Sequence, residues 1–153
     1  MEVKRSEHDW RWGNFPIPQA HVSLIAAGVL LNALWPLTFE LGGRWLIAVG
    51  IALALIGVVL MVWATAAAGR VKLADPEGLV TVGPYGMSRH PMYLAWTLLY
   101  LGLMAILSAG WLLILLPILA VWVHWDSGRE EQRMVETFGS AYEDYRSRVR
   151  RYV

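Results

Sequence analysis

The sequence predicts an all-helical integral membrane protein with about four transmembrane helices, and its composition and charge pattern support this fold class. Of the 153 residues, 57 % are hydrophobic and only 16 % are charged, which is too apolar for a soluble domain built around one core. Four long uncharged runs divide the chain, and the charged residues gather between and after them. The formal net charge is only +1 and the basic residues form no stripe, so no nucleic-acid partner is expected.

The first two uncharged runs predict two spanning helices. The first run covers residues 17–39 and starts beside Pro18, a residue suited to a helix start. The second covers residues 45–68, about 24 residues, which at about 1.5 Å per residue can cross a hydrocarbon core of about 30 Å. Residues 1–16 contain no apolar run typical of a signal peptide, so we expect the first helix to direct membrane insertion.

The last two runs predict a helical hairpin over residues 93–125. This stretch has no Asp, Glu, Lys or Arg, and Ser108-Ala109-Gly110 interrupts it near its middle. Each arm would have about 16 residues and a length of about 24 Å, short for a full span. We therefore expect a tight hairpin with little tilt or a locally thinned bilayer, with Pro117 kinking the second arm.

The distribution of lysine and arginine predicts the orientation. Three lie in the N-terminal segment, one in the first connection, three in the middle loop, none in the hairpin turn and six in the tail. This alternation favours a multi-pass protein with both termini, the middle loop (69–92) and the tail (126–153) in the cytoplasm. A site built from loop and tail would then lie on the cytoplasmic side.

The middle loop is too long to be a simple connector, at about 22 residues before the third run. Residues 75–78 indicate a turn, residues 79–82 a short apolar extended piece, and Gly83-Pro84 a second turn. A loop with its own apolar anchor is expected to pack against the helices.

The tail predicts an amphipathic helix over residues 126–145, interrupted near Gly139. We interpret its apolar stripe, with steps of three and four residues, as the side of an interfacial helix that lies against lipid headgroups. The stripe consists of Met134, Phe138, Tyr142 and Tyr145.

The chain contains no cysteine, which excludes disulfides, thiolate metal sites, iron–sulfur clusters and a cysteine nucleophile. His8, His21 and His124 have no second ligand at metal-binding spacing, so no metal site is expected.

Three motif blocks follow one another along the chain: a loop block, an Arg-His-Pro block and a tail block. They are Leu79-Val80-Thr81 with Gly83-Pro84-Tyr85, then Arg89-His90-Pro91-Met92-Tyr93, then Glu130-Glu131 with Phe138-Gly139, Tyr142 and Tyr145. In this order and spacing, roughly residues 46–149 resemble the isoprenylcysteine carboxyl methyltransferase and phospholipid methyltransferase superfamily. The resemblance implies a single membrane domain, 1–153, that takes S-adenosylmethionine from the cytoplasm. It also implies methylation of a carboxylate, amine or thiol on a lipid-like or membrane-soluble acceptor.

The resemblance also implies the site residues. Glu131 would orient or support Glu130, and Arg89 would either bind the cofactor carboxylate or hold the loop, since a guanidinium makes bidentate pairs. Arg89 and His90 are the candidate catalytic residues, with His90 as a base if the acceptor must lose a proton. The implied cofactor-binding residues are Glu77, Leu79, Val80, Tyr85, His90, Pro91, Tyr93, Glu130 and Glu131.

Three departures from the family pattern bear on the acceptor. Asp126 occupies the place where isoprenylcysteine enzymes carry an arginine for the substrate carboxylate, and an acid there would repel a carboxylate acceptor. Gly86-Met87-Ser88 replaces bulkier residues, and Ala95 stands where a glycine is common. An amine headgroup, a small thiol or another amphiphile therefore fits better than a prenylated protein, and a homodimer could complete the acceptor channel.

Other interpretations of the same residues remain open. Arg89 and His90 could cap the cytoplasmic end of the third helix, and Glu130 and Glu131 could be ordinary carboxylates that favour a helix N-terminus. At the level of function, the alternatives are a nicotinamide-dependent relative of the membrane sterol reductases and a non-catalytic scaffold on the same fold.

Overall fold

The computed structural model describes residues 17–39, 43–69 and 78–152, and within these ranges the protein is all-helical. No strand forms there, and a single antiparallel bridge joins Thr38 to Ala109. The all-helical prediction is thus confirmed for the described residues. The elements are α1 (Gln19–Leu34), α2 (Gly43–Ala68), a 3-10 helix (Gly83–Gly86), α3 (Pro91–Leu107), α4 (Gly110–Phe138) and α5 (Ser140–Arg148).

Among the described residues, α2 and α4 are long and apolar enough to cross a membrane. Helices α1 and α3 are also apolar but have 16 and 17 residues, which gives lengths of about 24–26 Å against a core of about 30 Å. Only 17 % of the apolar window of α2 is buried, and an apolar helix with so little protein contact suits a lipid environment. The structure thus supports membrane association, and four spans with cytoplasmic termini stay a prediction.

Two predicted helix boundaries are wrong. The first run was expected to stay helical to Phe39, but α1 ends at Leu34 because Pro36 disfavours helical geometry in the residue before it. The tail was expected to begin a new helix at Asp126, but α4 continues without a break to Phe138. Charged and polar residues follow Trp125, and the helix continues through Gly128 until Gly139, whose φ is +53°. The fourth helix therefore carries its own polar extension, about 13 residues long.

Helices α2 and α3 form the tightest pair in the bundle. A side chain at Gly50 would place its Cβ 2.8 Å from the carbonyl oxygen of Gly102, and one at Gly102 would lie 2.7 Å from that of Gly50. About two turns further along α2, a Cβ at Gly57 would likewise lie 2.8 Å from the carbonyl oxygen of Ala95. Small residues are required at these crossings because they let two backbones meet.

Helix α1 packs on α4, and α3 is tied to α4 by the hydroxyl of Tyr100. This fully buried side chain donates a 2.7 Å hydrogen bond to the carbonyl oxygen of Leu112. The predicted break at Ser108-Ala109-Gly110 is confirmed: Ser108 has a left-handed φ of 47°, and the Gly110 N–H donates to the Leu37 carbonyl at 2.6 Å. A Cβ at Gly110 would come within 2.8 Å of that carbonyl oxygen, so glycine suits this close approach.

The tail stripe does not lie against headgroups as predicted. Tyr142 and Tyr145 are each only 3 % exposed and pack inside the protein, while Met134 and Phe138 are half-buried. The hydroxyl of Tyr145 donates to the carbonyl oxygen of Tyr85 at 2.7 Å. The stripe therefore fastens α5 to the loop before α3, because this bond and the buried rings stabilise it more than an interfacial position would.

Candidate functional site

The polar extension of α4, the start of α3 and the C-terminal residues meet at one end of the bundle. Asp126 and Glu130 lie four residues apart on α4, and so do Ser127 and Glu131, so each pair shares a face. Helix α3 begins at Pro91, two residues before the predicted start at 93, with His90 as its N-cap residue. The C-terminal residues after α5 return to this end and contact both helices.

Glu131 is the centre of this end and is only 3 % exposed. Arg89 donates to its Oε1 from Nε at 3.0 Å and from Nη2 at 2.8 Å. Arg151 donates from Nε to Oε1 at 2.9 Å and from Nη2 to Oε2 at 2.7 Å. His90 Nε2 lies 3.3 Å from Oε1. We call Arg89, His90, Glu131 and Arg151 the Glu131 cluster.

Both Glu131 oxygens accept guanidinium hydrogen bonds, three at Oε1 and one at Oε2. Burial raises the pKa of the Glu131 carboxyl, but the hydrogen bonds from His90, Arg151 and Arg89 outweigh burial and hold it well below its usual range. Glu131 therefore carries a negative charge at neutral pH, matched by two guanidinium groups. A buried carboxylate with this many partners is suited to holding other residues in place.

Arg89 is equally committed to protein partners. Besides its two bonds to Glu131, its Nη1 donates to the carbonyl oxygens of Arg146 and Val149 at 3.0 and 2.9 Å. Its backbone N–H donates to the Arg150 carbonyl at 3.0 Å, and the neighbouring Ser88 hydroxyl donates to the Arg151 carbonyl at 3.1 Å. Four of the five N–H groups of a guanidinium are thus used inside the protein. Arg89 joins the loop to the C-terminal segment.

Glu130 differs from Glu131 in its exposure and in its hydrogen-bonding partners. Its side chain is 37 % exposed, and its nearest ionisable partner is His90, whose Nδ1 lies 3.6 Å from Oε2. Desolvation of the carboxyl raises the pKa of Glu130, opposed by the charge of His90 and reinforced by that of Asp126. Glu130 has no guanidinium bond among the described residues, so it is the carboxylate at this end that remains open to a ligand.

Tyr93 on α3 contacts Asp126 of α4 and lies beside the ring of His90. Its hydroxyl donates to Asp126 Oδ2 at 3.1 Å, and its ring centroid is 5.6 Å from that of His90. The predicted contact residues on α3 and α4 therefore come together around Glu130. The sequence analysis considered Asp126 only for the effect of its charge on a carboxylate acceptor.

The loop before α3 contributes the other predicted residues. Tyr85 is buried, and its hydroxyl has no hydrogen-bond partner. Leu79 and Val80 are half-buried, and Val80 packs on the apolar cluster that includes Tyr85. Gly83, with a φ of +60°, brings the loop close to α2, since a Cβ there would be 2.9 Å from that of Ala67. Glu77 lies outside the described residues.

The sequence analysis missed the role of Arg151 entirely. Arg151 was counted only as one of six basic tail residues, and its partner Glu131 is 20 positions away. No local pattern marks such a contact. Across residues 17–39, 43–69 and 78–152, no group of three or more potential metal ligands occurs.

The fold and site together define a membrane-associated helical protein with a carboxylate-bearing site between a loop, two helix ends and the C-terminal residues. The model of one family, described as phospholipid methyltransferase, matches residues 45–141, more than half of the chain. The chain belongs to the phospholipid methyltransferase family, and is thus a membrane methyltransferase. Helix α1 and the residues after 141 lie outside the match. A comparison with curated proteins finds no match.

Proposed function

We propose that the protein transfers a methyl group from S-adenosylmethionine to the headgroup of a lipid-like or membrane-soluble acceptor. The observation that carries this proposal is the contrast between Glu131, whose two oxygens both accept guanidinium bonds, and Glu130, which has no guanidinium partner among the described residues. Family membership supports methyl transfer, and the apolar surfaces of α2 and α4 support an acceptor that arrives from the bilayer.

The residues present suit S-adenosylmethionine. This molecule has an ammonium, a ribose diol, an adenine and a sulfonium, which call for a carboxylate, hydrogen-bonding groups and an apolar wall. Glu130 would accept from the ammonium, and the ring of the buried Tyr85 would contribute to the apolar wall. Leu79, Val80 and Pro91 would line the site, and Tyr93 would close it beside His90. When bound, S-adenosylmethionine supplies a methyl group already activated by the sulfonium charge.

The contacts of Arg89 and His90 define their proposed roles more closely. Arg89 suits holding the loop better than binding the cofactor carboxylate, because four of its N–H groups already bond within the protein. His90 faces a carboxylate from each ring nitrogen, which suits a residue that positions Glu130. The catalytic contribution of both residues would thus come mainly from alignment.

The acceptor headgroup is proposed to be an amine. Asp126 and Glu130 lie on one face of α4 with only acceptor atoms, and Asp126 already accepts from Tyr93. Such a surface attracts an ammonium and repels a carboxylate. A cytoplasmic location of the site, with the termini on the same side, follows from the lysine and arginine distribution.

Calorimetric titration of S-adenosylhomocysteine into protein in phosphatidylcholine nanodiscs tests the proposal. The wild type should bind saturably, and Glu130→Ala and His90→Ala should bind more weakly while remaining folded by circular dichroism. Glu136→Ala is the matched control, because Glu136 is an exposed glutamate further along the same helix. Folded wild type that binds nicotinamide nucleotide instead would support a reductase, and binding of neither compound would support a scaffold.

A further inference from the structure

His21 is a buried ionisable residue in an apolar helix, and nothing in the functional assignment so far uses it. It lies near the start of α1, before the first residue of the family match at 45, and it is 0 % exposed. Polar side chains within membrane helices are costly to bury and commonly serve a function.

The hydrogen bonds of His21 determine which ring nitrogen carries the proton. The Thr97 hydroxyl donates its hydrogen to the Tyr93 carbonyl at 2.8 Å. His21 Nε2 lies 3.0 Å from the same hydroxyl oxygen. Because the hydroxyl has only one hydrogen, Nε2–H must be the donor in this second bond. The other nitrogen, Nδ1, is then a hydrogen-bond acceptor.

Three buried side-chain atoms in the described part of the chain have no hydrogen-bond partner: His21 Nδ1, Trp96 Nε1 and the Tyr85 hydroxyl. The three residues are connected through Trp96. Its ring centroid is 6.4 Å from that of His21, and it packs on the apolar cluster that contains Tyr85. We call these residues the unpaired trio.

The unpaired trio adjoins the proposed methyl-transfer site. The ring of His21 stacks on Tyr93 with centroids 6.1 Å apart and planes at 24°, and the centroid of Tyr93 lies 5.6 Å from that of His90. A buried polar atom without a partner costs roughly 1–3 kcal/mol. Three such atoms in residues that pack near one another favour a ligand that satisfies them.

We propose that the unpaired trio binds the polar headgroup of the methyl acceptor, with His21 Nδ1 accepting a hydrogen bond from the protic group that receives the methyl. This inference rests on the proposed function for the identity of the ligand. Trp96 Nε1–H and the Tyr85 hydroxyl would donate to ester or phosphate oxygens of the same headgroup. An acceptor atom at His21 selects headgroups that carry N–H or O–H and disfavours fully methylated ones.

The first test compares two lipids that differ only in the donor. Dihexanoyl phosphatidylethanolamine and dihexanoyl phosphatidylcholine are titrated separately into the protein in phosphatidylcholine nanodiscs. The wild type should bind the ethanolamine lipid about tenfold more tightly, the effect expected for one buried hydrogen bond. His21→Phe, which keeps an aromatic ring on Tyr93, should abolish the preference. His124→Phe, at an exposed histidine on α4, should retain it.

The second test observes His21 directly and needs no catalysis. In protein labelled with ¹⁵N-histidine, the signals that His21→Phe removes belong to His21. They should indicate a proton on Nε2 in phosphatidylcholine nanodiscs, and the Nδ1 signal should move upfield when phosphatidylethanolamine is added. Thr97→Val, which removes the partner of Nε2, should let the proton redistribute between the two nitrogens and weaken the lipid preference, a second check if His21→Phe fails to fold.

The outcomes separate this inference from the proposed function. If the wild type binds S-adenosylhomocysteine but shows no lipid preference, or if folded His21→Phe keeps the preference, the trio is not the headgroup site and the methyltransferase proposal stands. If the preference depends on His21 but no S-adenosylhomocysteine binds, the trio is a lipid site and the cofactor assignment fails.

Discussion

The Glu131 cluster and the unpaired trio are linked through Tyr93, which lies beside His90 of the first and His21 of the second, and they differ in how their polar atoms are satisfied. Glu131 accepts four hydrogen bonds from two guanidinium groups, and Arg89 bonds to three separate parts of the chain. His21, Tyr85 and Trp96 each leave a buried atom without a partner. A saturated cluster supports structure, whereas an unsatisfied one is ready for a ligand. The comparison assigns a structural role to the Glu131 cluster and a ligand-binding role to the unpaired trio.

The largest effect is expected for Glu131→Gln, which leaves two guanidinium groups without their shared carboxylate. Removal of one member of a buried ion pair typically costs about 3–5 kcal/mol, so we expect the free energy of unfolding to fall by about that amount. Thermal unfolding in detergent, followed by circular dichroism, measures the change. Glu136→Gln, at the exposed glutamate on the same helix, should unfold like the wild type. A Glu131→Gln protein with wild-type stability would contradict the structural role of Glu131.

The same carboxylate predicts an acid dependence. Since the folded-state pKa of Glu131 lies below its ordinary value of 4.5, its ionised form stabilises the fold fully above about pH 4.5, and this contribution is lost as the pH falls towards the lowered pKa. Unfolding midpoints measured between neutral and acidic pH should drop for the wild type below that point. Glu131→Gln should show a flatter profile, and parallel profiles would contradict the assignment.

Glu130→Gln should have the opposite signature to Glu131→Gln. It removes the charge of the open carboxylate but no guanidinium bond, so stability should change little. Affinity for S-adenosylhomocysteine should fall about tenfold or more, because a charge-assisted hydrogen bond contributes about 1.5–3 kcal/mol. Calorimetry and thermal unfolding on the same preparation give both quantities. A large loss of stability with unchanged affinity would reverse the roles of the two glutamates.

Arg151→Met tests whether the C-terminal segment contributes to the stability of the Glu131 cluster. Its side chain is 27 % exposed and Arg89 still pairs with Glu131, so we expect a smaller loss of stability, about 1–2 kcal/mol. Arg150→Met is the control, since Arg150 is exposed and contacts the loop through its backbone carbonyl. Equal unfolding temperatures for the two variants would show that Arg151 does not stabilise the fold through the Glu131 cluster.

The smallest effect is expected for Tyr145→Phe, which deletes the 2.7 Å bond to the Tyr85 carbonyl but keeps the buried ring. We expect a loss of about 1 kcal/mol and a modest weakening of cofactor binding, because this bond positions the loop. Tyr152→Phe serves for comparison, since its hydroxyl makes only 3.5 Å contacts. A larger effect at Tyr152 than at Tyr145 would place the loop anchor elsewhere.

Local signals in the sequence predicted those features that glycine and proline control. The break at Ser108-Ala109-Gly110 was confirmed, and α3 begins within two residues of its predicted start because Pro91 suits the first turn of a helix. The extension of α4 beyond Asp126 was missed, since a change from apolar to charged residues marks the edge of a membrane and not the end of a helix.

The site was only partly predictable for a different reason. Motif order pointed to Arg89, His90, Glu130 and Glu131, but not to which of them would be saturated by partners. Arg89 bonds to Val149 across 60 positions and His21 to Thr97 across 76, and contacts this distant in sequence leave no local pattern. Folding alone brings them together.

The most direct test of the account is transfer of isotope-labelled methyl from S-adenosylmethionine to lipid by purified protein in nanodiscs that contain phosphatidylethanolamine. We predict label in the phospholipid fraction with wild type, strongly reduced label with Glu130→Gln and His21→Phe, and none in pure phosphatidylcholine nanodiscs. Folded wild type that binds S-adenosylhomocysteine yet labels no lipid would contradict a lipid headgroup as the acceptor. Equal labelling by all three proteins would contradict the roles given to Glu130 and His21.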